Sequence, residues 1–377
     1  MKRLLGGILA LVMGLACMAA VAEDVQAAVA AIVNGEKILQ SEVDAQAQAY
    51  LTQYANGGLD AEDEAVAAFA ASQALTAVID DHLLTQDMTR MGVYVFTQEE
   101  QADILEKAQT GYASVVTQLA SLYAASAQGE APSADEILEY GQQLAEQLGY
   151  SPDAFAEYYQ NDLASQKYAA ALMGEETISD EAAQAAYEQR VDDSREKYAE
   201  DVAAFEAALS AGQEVWYVPE GYRQVLQIFL RSDAEDKLAD TRDTVAEIYE
   251  RLEAGESFVS LIAAYGEDAA LQEESMLEDG YMVNAASVMW ADAFVAAAFS
   301  PELAAPGDYA RTPLAGDDGV HILYYLGDRA GGPVALTDTL REALRQTLYN
   351  QRANEKVLQR LQELEDAADI QLPGAVE

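Results

Sequence analysis

Apolar positions in this chain repeat at two different periods, and the change of period marks out a block between residues 222 and 326. Arg223-Gln224-Val225-Leu226-Gln227-Ile228-Phe229-Leu230 is nearly continuous in apolar and β-branched residues, which predicts a buried strand. Downstream, Leu238, Val245, Ile248, Tyr249 and Leu252 fall on one face of an amphipathic helix that Gly255 closes. Phe258, Leu261, Ile262 and Tyr265 predict a second, shorter helix leading into Gly266-Glu267-Asp268. A third element carries Trp290, Phe294 and Phe299. After the turn Gly316-Asp317-Asp318-Gly319, the run Val320-His321-Ile322-Leu323-Tyr324-Tyr325 predicts a closing strand.

Outside this block the period is mostly helical. Ala31-Ile32-Val33 reads as a short strand and Asn34-Gly35 as a turn, with Ser41 as the N-cap of the helix that follows. Over residues 74–91, Leu75, Val78, Ile79, His82, Leu83 and Gln86 share one helix face, and Gly92 ends it. Thr97-Gln98-Glu99-Glu100 restarts a helix with a capping box. Residues 101–211 are helical, rich in alanine and tyrosine, with breaks near Gly129-Glu130-Ala131-Pro132, Ser151-Pro152 and Gly174. Residues 212–221 read as a hinge, and Gly331-Gly332-Pro333 as a second one. Residues 336–366 predict a long helix with Leu340, Leu344, Leu348, Leu358 and Leu361 at helical spacing. Such a stripe needs a partner to cover it. Ile370-Gln371-Leu372 adds a short strand.

The 377 residues carry a formal charge of −45. A chain this acidic, with no dense basic patch, is not built to hold a phosphate backbone, so a nucleic-acid partner is excluded. Most of the charge reads as solvated helix face. Residues 1–22 have the form of a secretory signal: Lys2-Arg3, an apolar stretch over 4–15, and Ala20-Val21-Ala22 before Glu23. The chain is therefore expected outside the cytoplasm. Cys17, the one cysteine, lies inside this leader. It admits two readings, removal with the leader or a lipid anchor, although Leu15 stands off the usual lipid-attachment pattern. Under cleavage after Ala22 no thiol remains, so neither a disulfide nor a thiolate metal site is expected. Asp60-Ala61-Glu62-Asp63-Glu64 lacks the glycine and ligand spacing of a calcium loop and reads as a solvated helix start. No phosphate-binding glycine loop, zinc spacing or serine–histidine constellation is present, so no metal or small-molecule cofactor is expected.

Two resemblances bear on function. Val33-Asn34-Gly35-Glu36-x-Ile38…Ser41-Glu42-Val43 and Leu75-x-x-Val78-Ile79-Asp80-x-x-Leu83-Leu84…Gly92-Val93-x-Val95…Glu99-Glu100, over residues 31–100, resemble the N-terminal domain of the SurA/PrsA class of exported foldases. Separately, Tyr222-Arg223…Gln227-Ile228-Phe229-Leu230, Gly255-Glu256-Ser257-Phe258 with Tyr265-Gly266-Glu267-Asp268, Phe294-x-x-Ala297-x-Phe299, and Gly319-Val320-His321-Ile322 resemble, in order, the motifs of a parvulin-type peptidyl-prolyl isomerase domain. Together they imply an α+β chain. A mostly helical, chaperone-like N-terminal domain (23–215) is completed by residues 336–377 packing back on it. An inserted parvulin-like domain (221–332), a small antiparallel sheet flanked by helices, interrupts it. The implied partners are unfolded or nascent exported polypeptides bearing X–Pro bonds.

The same resemblance assigns roles. His321, Asp268, Gln227 and Asp318 become the polar catalytic set, and Trp290, Phe294, Phe299 and Tyr281 the wall around the proline ring. Three departures from the family pattern count against full activity. Gln227 stands where the family has its first histidine, and an amide carries no charge. Asp318 takes the place of a small hydroxyl residue and adds a carboxylate near Asp268. The family's glycine-rich turn is reduced to Glu278-Asp279-Gly280-Tyr281. Each residue also has a plain alternative: His321 a hydrogen-bonded core histidine, Trp290 and Phe294 helix core, Asp268 a turn cap. His82 reads as structural.

Overall fold

A computed structural model describes residues 28–126 and 132–373. The leader read at 1–22, Cys17 included, and the break read at 129–131 lie outside the described residues. The chain divides into two compact units, one formed by Met1–Thr177 with Tyr349–Glu377, the other by Ile178–Leu348. The architecture is α+β, with a mostly helical unit and a sheet-containing one.

In the first unit, β1 (Val29–Val33) and β2 (Glu36–Leu39) form a hairpin. Its turn residues Asn34 and Gly35 have φ of 52° and 87°, the left-handed pair that a tight two-residue turn requires. A late strand, β9 (Ile370–Gln371), pairs with the other edge of β1. Helix α1 (Gln40–Asn56) begins one residue before the expected cap: Ser41 is inside the helix, and Glu42 instead accepts the Leu39 N–H at 2.8 Å. Helix α2 (Glu64–Arg90) starts ten residues earlier than its apolar stripe, with Asp63 as N-cap. The added turns are alanine-rich, so intrinsic propensity carries them without amphipathic patterning. Ala31, Val33, Ile38, Val43, Ala74, Val78 and Leu83 make the core here, covered in part by Leu361 and Leu364. Helices α3 (Gln98–Ser126), α4 (Ala134–Gln147) and α5 (Pro152–Met173) follow. Thr97 and Glu100 exchange the expected reciprocal bonds at the start of α3, and Ser151 caps α5 with Pro152 at its first position.

The second unit opens with α6 (Asp180–Tyr198) and α7 (Val202–Ser210). A two-stranded ribbon follows, β3 (Tyr217–Val218) on β8 (Gly332–Pro333). Its main sheet is antiparallel, in the order β5 (Tyr281–Asn284), β4 (Tyr222–Arg231), β7 (Gly319–Arg329), β6 (Leu314–Ala315). Side chains alternate between its faces. On one face Leu226, Ile228, Leu230, Val320 and Ile322 pack under α9 (Arg242–Glu253) and α10 (Phe258–Tyr265). On the other, Val225, Leu323, Tyr325 and Val283 pack with Phe294 and Ala298 of α12 (Asp292–Ala298). The expected place of Leu238 on the α9 face is not realised. It lies in a separate short helix, α8 (Lys237–Asp240), and is 42% exposed. Between α10 and β5 runs α11 (Glu274–Asp279). The last helix, α13 (Asp338–Ala367), contributes Leu340 and Leu344 to the second unit beside Val191 and Trp216. Leu358, expected in its stripe, is exposed. Among the described residues no helix is long and apolar enough to cross a membrane.

Candidate functional site

The strand pairing that builds the sheet also assembles a polar network on its second face. Phe229 of β4 lies opposite His321 of β7. Gln227, two residues before Phe229, points to the same side and meets His321 on the diagonal. The distance from His321 Nδ1 to Gln227 Oε1 is 2.8 Å. From the other end of the amide, Gln227 Nε2 donates to Asp268 Oδ2 at 2.7 Å. The Tyr281 hydroxyl donates to the same carboxylate oxygen at 2.8 Å. The other oxygen, Oδ1, accepts the Ala270 N–H at 3.1 Å, so Asp268 is both turn cap and network member.

Asp268 is held in place by the sheet itself. Glu267, its neighbour, donates its N–H to the Phe229 carbonyl at 2.9 Å and accepts the Arg231 N–H at 2.7 Å. The turn after α10 is thus stitched to the end of β4.

The order of donors follows from chemistry. A carboxylate only accepts, so Asp268 requires the NH2 end of Gln227. That leaves the amide oxygen facing His321, which must then carry its hydrogen on Nδ1. Nε2 is left with its lone pair, 3.4 Å from Asp318 Oδ1. Burial holds the His321 pKa below its ordinary value, against a smaller opposing pull from Asp318. The donor order fixes the hydrogen on Nδ1, and burial favours the neutral ring, in which Nε2 keeps its lone pair. Burial, with Asp268 adding to it, pushes the Tyr281 phenol well above its usual range and keeps it a donor. Gly316 fits closely against this histidine: a Cβ there would stand 2.6 Å from His321 Nε2.

Aromatic rings surround the network. Phe229 stacks on His321 at 4.9 Å between centroids, and Phe294 meets it edge-on at 5.9 Å. Trp290 stacks on Phe294 at 4.8 Å and meets Tyr281 edge-on at 5.2 Å, with its indole N–H bonded to the Met282 carbonyl. Seven of the eight residues singled out from the sequence are thereby joined: Gln227, Asp268, Tyr281, Trp290, Phe294, Asp318 and His321. The eighth, Phe299, lies elsewhere on the same layer. Its ring faces the Arg223 guanidinium at 4.6 Å, and it lines an open concavity of about 430 Å³ with Asp292 and Val295. Asp318 is exposed, and only His321 Nε2 connects it to the set.

One buried acid escaped the sequence reading. Glu206 of α7 is 1% exposed and receives four hydrogen bonds, three of them from the loop that carries Trp290. Its signal was present: it is the single charged residue in the otherwise apolar run Val202-Ala203-Ala204-Phe205-Glu206-Ala207-Ala208-Leu209. Among the described residues no cluster of histidine, cysteine or acidic side chains is suited to a metal ion. His82 lies in the first unit between Glu42, at 3.1 Å, and Glu36, at 3.7 Å, where it ties α2 to α1 and to β2.

Comparison with known proteins bears on the other end of the chain. The family model of a SurA-like N-terminal domain matches residues 1–111. No curated protein matches. Among solved structures, one of two structurally related SurA-like chaperones of Campylobacter jejuni is 12% identical, covering 92% of this chain and 100% of its own, with a TM-score of 0.36. PrsA from Bacillus subtilis is 16% identical, covering 94% and 96%, with a TM-score of 0.24. The foldase protein PrsA from Streptococcus pneumoniae is 16% identical over 71% and 82%, with a TM-score of 0.22. The SurA/PrsA-like motifs over residues 31–100 fall within the matched segment, and the chain carries a SurA-like domain at its N-terminus.

Proposed function

We propose that this protein is an exported folding factor whose second unit isomerises X–Pro bonds in unfolded exported polypeptides. The observation that carries the reading is the Asp268–Gln227–His321 network set beside the rings of Trp290 and Phe294 on one face of an antiparallel sheet. The SurA-like N-terminal domain supports a folding role outside the cytoplasm.

The chemistry asked of the site is small. Rotation about X–Pro must cross a resonance barrier of roughly 18–20 kcal/mol, and no covalent bond need break. A planar amide is more polar than a twisted one, because resonance places negative charge on oxygen and positive charge on nitrogen. An apolar cup around the proline ring therefore favours the twisted form over the planar one. Trp290 and Phe294 form that cup, and the neutral His321, fixed in one tautomer, sets its polarity without bringing in a charge.

A second reading, a peptide-binding chaperone without catalysis, is favoured by one feature. Gln227, Tyr281 and both oxygens of Asp268 are already engaged within the protein, leaving His321 Nε2 and Asp318 as the outward groups. The two readings separate in one experiment, following cis-to-trans conversion of a proline tetrapeptide with the full secreted chain. Acceleration that is lost in Trp290→Ala is expected. No acceleration, with aggregation of an unfolded client still suppressed, would leave only the chaperone.

A further inference from the structure

The loop between β5 and α12, residues 285–291, contains no buried residue, and its tip side chains Val288 and Met289 are 65% and 52% exposed. Apart from the Trp290 ring at its end, apolar packing does not fix its path, and hydrogen bonds hold the rest. Two come from its own base, where Asn284 accepts the Ala286 and Ser287 N–H groups. Three more converge on one carboxylate. Glu206 Oε2 accepts the N–H of Val288 at 2.6 Å and of Met289 at 3.0 Å, while Oε1 accepts the Ser287 hydroxyl. The Tyr222 hydroxyl, also on Oε1 at 3.1 Å, ties the same carboxylate to the first residue of β4. No lysine or arginine is paired with Glu206 among the described residues.

We propose that Glu206 is a positioning residue for the candidate site: from α7, outside the 221–332 block, it fixes the 285–291 loop and so sets Trp290 in the wall of the cup. Its effect on peptide binding rests on the isomerase reading, while the hold on Trp290 does not. A buried carboxylate without a cation is costly unless hydrogen bonds saturate it. Here they do, and because two of the donors are successive backbone N–H groups, the carboxylate dictates a backbone path as well as filling a space. Trp290 follows directly in the chain, and its ring is then seated by Tyr281, Phe294 and the Met282 carbonyl.

The test uses the full chain with Trp216→Phe, which leaves Trp290 as the sole tryptophan and therefore a spectroscopic reporter. In Glu206→Ala, acrylamide quenching of Trp290 is expected to rise about twofold as the loop loosens. The KM or Kd for a proline tetrapeptide should rise about tenfold, the scale of a lost buried hydrogen-bond set. Glu206→Gln should stay within about twofold on both, because its amide oxygen can accept the two N–H groups while its NH2 donates to the two hydroxyl oxygens. Unchanged quenching and peptide affinity in a folded Glu206→Ala would overturn the proposal. Should that variant not fold, Ser287→Ala removes one donor without orphaning a backbone amide. It should shift both readouts the same way by about half as much in logarithm, and no shift would overturn the proposal equally. If the parent protein neither isomerises nor binds the peptide, the isomerase reading fails, while quenching still decides whether Glu206 holds Trp290.

Discussion

Asp87 in the first unit and Glu206 in the second are equally buried, each 1% exposed, yet their charges are met in opposite ways. Asp87 sits on α2 and is clasped by cations: Arg360 of α13 donates from two nitrogens at 2.9 and 3.1 Å, Arg90 joins from one turn along, and the Tyr168 hydroxyl of α5 donates at 2.8 Å. Glu206 has only neutral donors, two of them backbone. The difference follows from what is being held. Rigid helices can be joined only by long side chains, and charged arms suit that distance. A loop whose tip has nothing to bury can be held by wrapping its own amides around an acceptor. The first arrangement fastens elements together, and the second gives a segment its shape.

The contrast can be broken most directly by a pair of isosteric substitutions. Asp87→Asn should destabilise the first unit by about 3 kcal/mol, because an amide cannot accept both arms of Arg360 inside a buried site. Glu206→Gln should cost the second unit under about 1 kcal/mol, because its donors are neutral and adaptable. Urea unfolding followed by hydrogen exchange, unit by unit, measures both. Equal costs would remove the distinction.

Within the second unit, Gln227→Leu deletes the neutral link between Asp268 and His321. If the site works as proposed, kcat/KM on a proline tetrapeptide should fall about tenfold, and stability should fall by about 1–3 kcal/mol because the His321 Nδ1 hydrogen loses its acceptor. Gly316→Ala is expected to follow close behind, since its new methyl group must push His321 aside.

The pH dependence sharpens the comparison further. Bonds from Arg360 hold the Asp87 pKa well below the carboxylate range, so its contribution is present above pH ~4 and lost as pH falls below that. Burial and the neighbouring Glu365 raise Asp80 of the same helix to about 6. Its folded form prefers the proton, so stability is gained as pH drops from 7 towards 5, by about 1 kcal/mol after solvent screening. Burial raises the pKa of the adjacent Asp81 as well, so the first unit should be most stable between about pH 4 and 6, and Asp80→Asn should reduce the neutral-side slope while Asp81 keeps the rest. The smallest expected effect is in the site. Asp318 raises the His321 pKa against burial, so Asp318→Asn should move the acid limb of any isomerase activity to lower pH and leave its plateau unchanged. A limb moving to higher pH would contradict the assigned neutral tautomer.

The strands that carry the network were legible because each is a nearly continuous run of apolar and β-branched residues. The run Arg223–Leu230 predicts a strand, and the strand spans Tyr222–Arg231. The Asn34-Gly35 turn, the Thr97–Glu100 box and the late strand at Ile370 were legible because each is fixed by its own residues. The seven residues joined around His321 stood out together only through their order along the chain, for none of them alone differs from core or cap. What was not legible depends on folding at a distance. Nothing local to Glu206 says that Val288 and Met289 will reach it, 82 and 83 residues on. Ser41 is no cap because the helix starts earlier, with Leu39 at the cap position and its N–H bonded to Glu42.

The edge strand β9 lies against β1, and the Asn34 and Asp369 backbones are bonded across a separation of 335 residues. Arg360 reaches Asp87 across 273. The second unit, by contrast, is complete once Leu348 has been made. For a chain emerging from its N-terminus, time therefore runs against sequence order: the middle can close while the beginning still waits for the end. During that interval the half-finished sheet of the first unit shows a bare edge and an uncovered apolar face, the same surfaces that an unfolded polypeptide would seek.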